Sequence, residues 1–202
     1  MGVATAALGF TGIGLTATSA HAEDGPPAPA ANSSNTSGNG SDKVDWPSKD
    51  APGPDLDPDS YQMLAQMPND SFNTVRDAVR DPNFKDDFKD NPELQKKAQE
   101  LQRGFASDGC SVPGTVQLLV PVTAGDTKAC TQHDFRYVVG PHVYGDDLSQ
   151  PGTKAEKTDA DAQLGRNVAD NNKLTSWFPD ARGKYYEWGT WLFGDSHYKN
   201  TY

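Results

Sequence analysis

Cys110 and Cys130 are the only two cysteines in this chain of 202 residues, and they place the strongest restriction on its fold. If the chain is exported to an oxidising compartment, one disulfide between them is the expected state. Such a bond closes a loop of about 20 residues, and the chain-entropy model gives it roughly 3 kcal/mol of stabilisation. The segments on either side of the loop must then fold against each other.

Export is predicted by the first 22 residues, which carry no charged side chain and contain an apolar run from Val3 to Leu15. They end in Ala20-His21-Ala22, a small-x-small pattern that signal peptidase can cut. The pattern predicts a signal peptide over residues 1–22 and a secreted, extracellular protein. No other stretch is apolar and long enough to cross a bilayer, so we expect no transmembrane segment in the mature protein.

The mature chain divides by composition into a linker and one domain. Residues 23–56 consist mainly of Pro, Ala, Ser, Asn, Gly and Asp, with few large apolar side chains. Such a segment buries too little surface to offset its ordering entropy, so it is predicted to be a disordered linker. Residues 57–202 are enough for one domain with a modest core, and a monomer is the default expectation.

The charge balance restricts the partners. A formal net charge of -10 argues against nucleic acid, which requires clustered Lys and Arg. It also gives no electrostatic attraction to anionic membranes. Carboxylates do suit a hard cation such as Ca²⁺.

The apolar spacing in residues 57–202 is helical, with little strand-like alternation, so the predicted class is all-α. Asp126 is the predicted N-cap of the fourth helix, and Gly140-Pro141 its predicted end. Most aromatic side chains from Trp177 to Phe193 are expected to complete a small core, with a few exposed. The alternative is that they form an interfacial surface, since Trp and Tyr suit the membrane–water boundary. Five helices are predicted: one that starts at Pro58, one from Phe72 to before Pro82, one from Pro92 to Gly104, one that contains Cys130 to Val139, and one over residues 155–171.

One predicted helix face carries polar and reactive side chains instead of apolar ones. Cys130, His133, Asp134 and Tyr137 lie at positions i, i+3, i+4 and i+7 and therefore point the same general way. That face presents a sulfur, an imidazole, a carboxylate and a phenol where a structural helix carries Leu or Val. Polar groups on an inward face need partners, and a metal or catalytic site supplies them.

The disulfide also predicts a metal site. It ties the Asp134 helix to Asp108-Gly109, which stand just before Cys110. Two carboxylates and a backbone carbonyl form an oxygen-rich ligand set that fits Ca²⁺. Zinc fits poorly, because the chain has few histidines and its thiols are expected to be oxidised.

Asp108-Gly109-Cys110 followed by Cys130-x-x-His133-Asp134-Phe135-x-Tyr137 resembles the secreted prokaryotic and fungal phospholipase A2 family. The resemblance covers about 60 residues. It implies a small helical domain with two antiparallel core helices braced by the disulfide. It also implies that Asp108, Gly109 and Asp134 bind Ca²⁺, that His133 is the general base, and that Tyr137 has a supporting role.

The resemblance requires an aspartate on the next helix that orients the imidazole, and two candidates exist. Asp161 shares its face with Leu164 and Val168, whereas Asp159 shares its face with the solvated side chain of Arg166. A carboxylate on the buried face needs a partner, and an imidazole N–H would satisfy it. Asp161 is therefore the predicted second catalytic residue.

The function implied by the resemblance is calcium-dependent hydrolysis of the sn-2 ester of glycerophospholipids in aggregates or membrane surfaces. His133 would activate a water, with Ca²⁺ as the electrophile, so no nucleophilic serine is needed. One alternative is a catalytically inactive lipid-binding or toxin-like secreted protein on the same scaffold. Another is a structural helical domain, in which calcium would not change thermal stability.

Overall fold

The computed structural model describes residues 8–10, 13–15, 54, 56–107, 109–110 and 121–198. Two short strands, β1 (Leu8–Phe10) and β2 (Ile13–Leu15), pair antiparallel within the predicted signal peptide. Everything described after them is helix or connecting loop, so the domain is all-α. Its α-helices are α1 (Pro58–Gln66), α2 (Asn69–Arg80), α3 (Pro92–Gly104), α4 (Ala124–Tyr144), α5 (Pro151–Asn171) and α6 (Pro179–Phe193), and 3-10 turns cover Phe84–Phe88 and Gly194–Ser196.

The predicted starts of α1 and α3 are confirmed by their caps. The Asp57 side chain accepts hydrogen bonds from the backbone N–H groups of the first turn of α1, and Asn91 does the same for α3. Each cap is followed by proline at the first helical position, where the missing N–H costs nothing.

The predicted cap of α4 is wrong. Thr123 is the N-cap, and Asp126 occupies the third helical position. Thr123 Oγ1 accepts from the Asp126 N–H at 3.1 Å, and the Asp126 carboxylate accepts from the Thr123 N–H at 2.8 Å. This is a capping box, a pattern in which the acidic residue stands three positions after the cap.

The predicted end of α4 at Gly140-Pro141 is also wrong, because the helix continues to Tyr144. Val143 and Tyr144 in the added turn pack against the main apolar core, and this packing outweighs the hydrogen bond that proline cannot donate. Gly140 is needed inside the helix: a Cβ there would lie 3.0 Å from the hydroxyls of Tyr61 and Tyr198.

The main core lies between α4 and the first three helices. Phe135 of α4 is at its centre, with ring centroids 4.8 Å from Phe105 and 5.3 Å from Phe72. Tyr61 of α1 stacks on the same ring at 5.9 Å. The described chain joins this core at Leu56, which packs against it. One face of α4 is thereby fixed, and the opposite face is left to meet α5.

Helices α4 and α5 run antiparallel. The Thr153 hydroxyl near the start of α5 donates to the carbonyl of Tyr144 at the end of α4. At the other end of the pair, Asn172 just beyond α5 donates to Asp126 near the start of α4. His133 and Asp161 face each other between these two contacts.

Helix α6 crosses α5 at a pair of glycines, and this crossing gives a stability prediction. A Cβ on Gly183 would overlap the backbone oxygen of Gly165, whereas a Cβ on Gly189 in the same helix would meet no atom within 4 Å. We expect Gly183→Ala to lower the free energy of unfolding by about 1–3 kcal/mol through overpacking. Gly189→Ala should be neutral or should stabilise by up to about 1 kcal/mol, because alanine is the better helix former. Urea unfolding of both variants checks this, and equal effects would contradict the close crossing.

Candidate active site

His133 of α4 and Asp161 of α5 form a buried pair. His133 Nε2 lies 3.0 Å from Asp161 Oδ1, and the two residues are 7% and 2% exposed. The helical periods of α4 and α5 bring these side chains to the shared interface. The structure thus places the two sequence-predicted catalytic residues in direct contact.

Two further groups hold the Asp161 carboxylate. The Tyr137 hydroxyl donates to Asp161 Oδ1 at 2.6 Å, and Lys157 Nζ donates to Oδ2 at 2.8 Å. Burial alone raises the pKa of Asp161, but the hydrogen bonds from His133, Lys157 and Tyr137 outweigh it and hold the pKa below its usual value. Asp161 is therefore an ionised acceptor with a fixed orientation.

The same surroundings determine the state of His133. Burial lowers the pKa of its imidazole, and the hydrogen bond and charge of Asp161 offset only part of that effect. The ring is therefore neutral at pH 7. With a carboxylate facing Nε2, the proton is assigned to that nitrogen and the lone pair to Nδ1, which is the tautomer of a general base.

Asp134 lies on the side of α4 that faces the disulfide. Cys110 and Cys130 are bonded, with their Cα atoms 5.4 Å apart, as the sequence predicted. The Ser107 hydroxyl donates to Asp134 Oδ2 at 2.5 Å and accepts from the Gly109 N–H at 3.0 Å. Gly109 has φ +81°, a conformation that other residues rarely adopt. Asp134 and Gly109 are thus brought together, through a serine that the sequence analysis did not single out.

The predicted calcium ligands are only partly described. Asp108 lies outside the described residues, and within the described part of the chain no three His, Cys, Asp or Glu side chains form a metal-holding group. What is described near Asp134 is a carboxylate, a serine hydroxyl and the Gly109 backbone. The Asp134 carboxylate and the Ser107 hydroxyl are oxygen groups, which match the preference of a hard cation and do not match zinc.

The other candidate aspartate, Asp159, lies away from the imidazole. Its carboxylate pairs with Arg136 of α4 at 2.9 Å and with Arg166 at 3.5 Å. Arg136 is fully buried and also bonds Glu156 and Gln163. Asp159 therefore belongs to a separate ionic network that joins α4 to α5.

Lys157 is a site residue that sequence reasoning missed. It is 5% exposed, and besides Asp161 it contacts the Asp195 carboxylate at 3.2 Å. Tyr198, also buried, packs edge-on against Tyr137 at 5.2 Å. The spacing of Lys157 four residues before Asp161 was a usable signal, because i and i+4 meet on a helix. No local signal connects Asp195 or Tyr198 to the pair.

Comparison with protein families gives a match over part of the chain. Residues 85–176 match the model of a protein family of unknown function, DUF1353. The matched segment includes His133, Asp134, Asp161 and both cysteines, and it stops before α6. No curated protein and no solved structure matches the chain. The likeness to phospholipase A2 therefore rests on the residues themselves.

Within the described part of the chain, no helix is both long enough and apolar enough to span a membrane.

Proposed function

We propose that the protein is a secreted calcium-dependent phospholipase A2 that hydrolyses the sn-2 ester of glycerophospholipids. The observation that carries this proposal is the buried contact between His133 Nε2 and Asp161 Oδ1, one residue along α4 from Asp134. A neutral imidazole held in one tautomer by an ionised carboxylate is the arrangement that a water-activating base requires.

The residues of the chain divide the work between them. Asp161 fixes the ring of His133 and stabilises the imidazolium that forms when Nδ1 takes a proton from water. Tyr137 and Lys157 fix Asp161 in turn, through the hydrogen bonds at 2.6 and 2.8 Å. Each of these hydrogen bonds restricts the motion of a site side chain in the folded protein, so less conformational entropy is lost when the transition state forms.

Asp134 and Gly109 are the described residues that would hold Ca²⁺, together with Asp108. When bound, Ca²⁺ supplies charge stabilisation for the ester oxygen and the phosphate of the substrate. Asp134 is kept in place by Ser107 and by the disulfide one turn away. The chain can thus present one calcium ligand and the base from two adjacent positions of α4.

The test is release of fatty acid from phosphatidylcholine labelled at the sn-2 acyl chain, in mixed micelles, with Ca²⁺ or with a chelator. We expect release with Ca²⁺ and a loss of release with the chelator. Ca²⁺ should also raise the melting temperature, since a ligand that binds only the folded state stabilises it. A substrate labelled at the sn-1 chain is the control for position.

The second candidate is an inactive lipid-binding protein on the same scaffold. The two candidates differ at Asp108, which lies outside the described residues: without that ligand the cation site is weaker, while the His133–Asp161 pair is undisturbed. Binding to lipid without release of fatty acid, in folded protein with Ca²⁺, would favour this candidate and contradict the hydrolase.

A further inference from the structure

Helix α6 carries large aromatic side chains on its outer surface. Trp188, Trp191 and Phe193 are 61%, 60% and 68% exposed, and Leu192 is also exposed. The expectation that most of these aromatics complete a core is wrong, because α6 packs on α5 through its glycine face and Tyr186. Trp188, Trp191, Leu192 and Phe193 are called the α6 surface below.

The α6 surface adjoins a groove between α5 and α6 with a volume of about 690 Å³. Trp188 and Trp191 form part of its wall, and so does Asp161, the residue that bonds His133. The groove therefore brings the α6 surface to the Asp161 side of the candidate active site.

The charges around the groove select among lipid surfaces. Lys184 and Glu187 in the groove wall pair with each other at 2.6 Å, so they add no net charge. The whole chain carries a formal charge of -10, which opposes approach to an anionic surface. Tryptophan has a large apolar ring with one N–H donor, and it is enriched where proteins meet the membrane–water boundary. The lipid surface that fits these charges and these tryptophans is one with electrically neutral head groups.

We propose that the α6 surface binds zwitterionic phospholipid aggregates beside the groove that Asp161 lines. This rests on the proposed function for the chemistry, but the binding itself does not require hydrolysis. The attraction comes from the burial of Trp188, Trp191 and Phe193 in the lipid interface, and it scales with the apolar area that is buried. The family match ends at residue 176, so the surface belongs to a part of the chain outside that match.

The experiment measures partition into phosphatidylcholine vesicles, by co-sedimentation and by the blue shift of tryptophan fluorescence. It uses His133→Gln protein so that the lipid stays intact. We expect Trp188→Ser/Trp191→Ser to weaken partition by about tenfold or more, because two interfacial anchors are removed. Met63→Ser is the matched control, since it removes a side chain on α1 that is 37% exposed and does not line the groove. It should bind as well as the parent.

Three outcomes would overturn the proposal. They are unchanged partition of the double tryptophan variant, an equal loss in Met63→Ser, and stronger binding to vesicles containing phosphatidylglycerol than to phosphatidylcholine alone. Unchanged thermal melting shows that the double variant is folded. If the α6 surface binds lipid but the unmodified protein releases no fatty acid, the proposed hydrolysis fails and the lipid surface stands. If hydrolysis occurs but the tryptophan variant binds normally, the lipid surface fails alone.

Discussion

Arg136→Met is expected to lower the free energy of unfolding by about 3–5 kcal/mol, since removing one partner of a buried ion pair leaves the other charge uncompensated. Arg136 has no exposed surface, and its guanidinium lies 2.7 Å from Glu156. Glu156 is itself buried and accepts a hydrogen bond of 2.5 Å from the Tyr61 hydroxyl. The change would therefore loosen α1, α4 and α5 together. Urea unfolding followed by circular dichroism measures it.

Arg166→Met is the matched control for this prediction. Arg166 pairs with the same Asp159 carboxylate, but its side chain is 59% exposed. An exposed pair of this kind is worth about 0–1 kcal/mol. The double variant Arg136→Met/Glu156→Gln should recover part of the stability, because it removes the uncompensated charge. If Arg136→Met and Arg166→Met lower the free energy of unfolding by similar amounts, burial does not determine how much these ion pairs stabilise the fold.

The parts of the fold that the sequence predicted are those with local causes. The caps Asp57 and Asn91 lie next to the N–H groups that they satisfy, and each precedes a proline, so four or five adjacent residues contain the whole signal. The disulfide came from the presence of only two cysteines in a chain predicted to be exported, and the choice of Asp161 over Asp159 came from spacing along a single helix. These inferences needed no knowledge of which helix packs on which.

The errors arose where distant packing decides. The Gly140-Pro141 pair is a stop signal when read locally, yet α4 continues because its last turn meets the aromatic core formed with α1. The aromatics of α6 look like core residues until it is known that only one side of that helix is covered. Ser107 lies 26 residues before His133, and Asp195 lies 34 residues after Asp161. No helical periodicity links either residue to the site.

His133→Gln is expected to reduce fatty-acid release by about a hundredfold to ten-thousandfold, because proton transfer by a positioned side chain contributes that much. Glutamine keeps a polar group beside Asp161 but cannot take a proton from water. His142→Gln is the matched control: His142 lies on the same helix, in its last turn, at an exposed position. It should leave release unchanged. The measurement is initial rate on phosphatidylcholine micelles with Ca²⁺.

Asp161→Asn tests whether Asp161 supports His133 as the base. The amide keeps the shape of the carboxylate but removes the charge that stabilises the imidazolium and that Lys157 neutralises. We expect a large loss of turnover number with little change in the affinity for lipid, because Asp161 acts on His133 and contacts no head group in this mechanism. If the variant loses only lipid binding, Asp161 acts in the groove and does not support His133. Full activity in His133→Gln would remove His133 from the reaction, and with it the reason to regard the buried pair as catalytic.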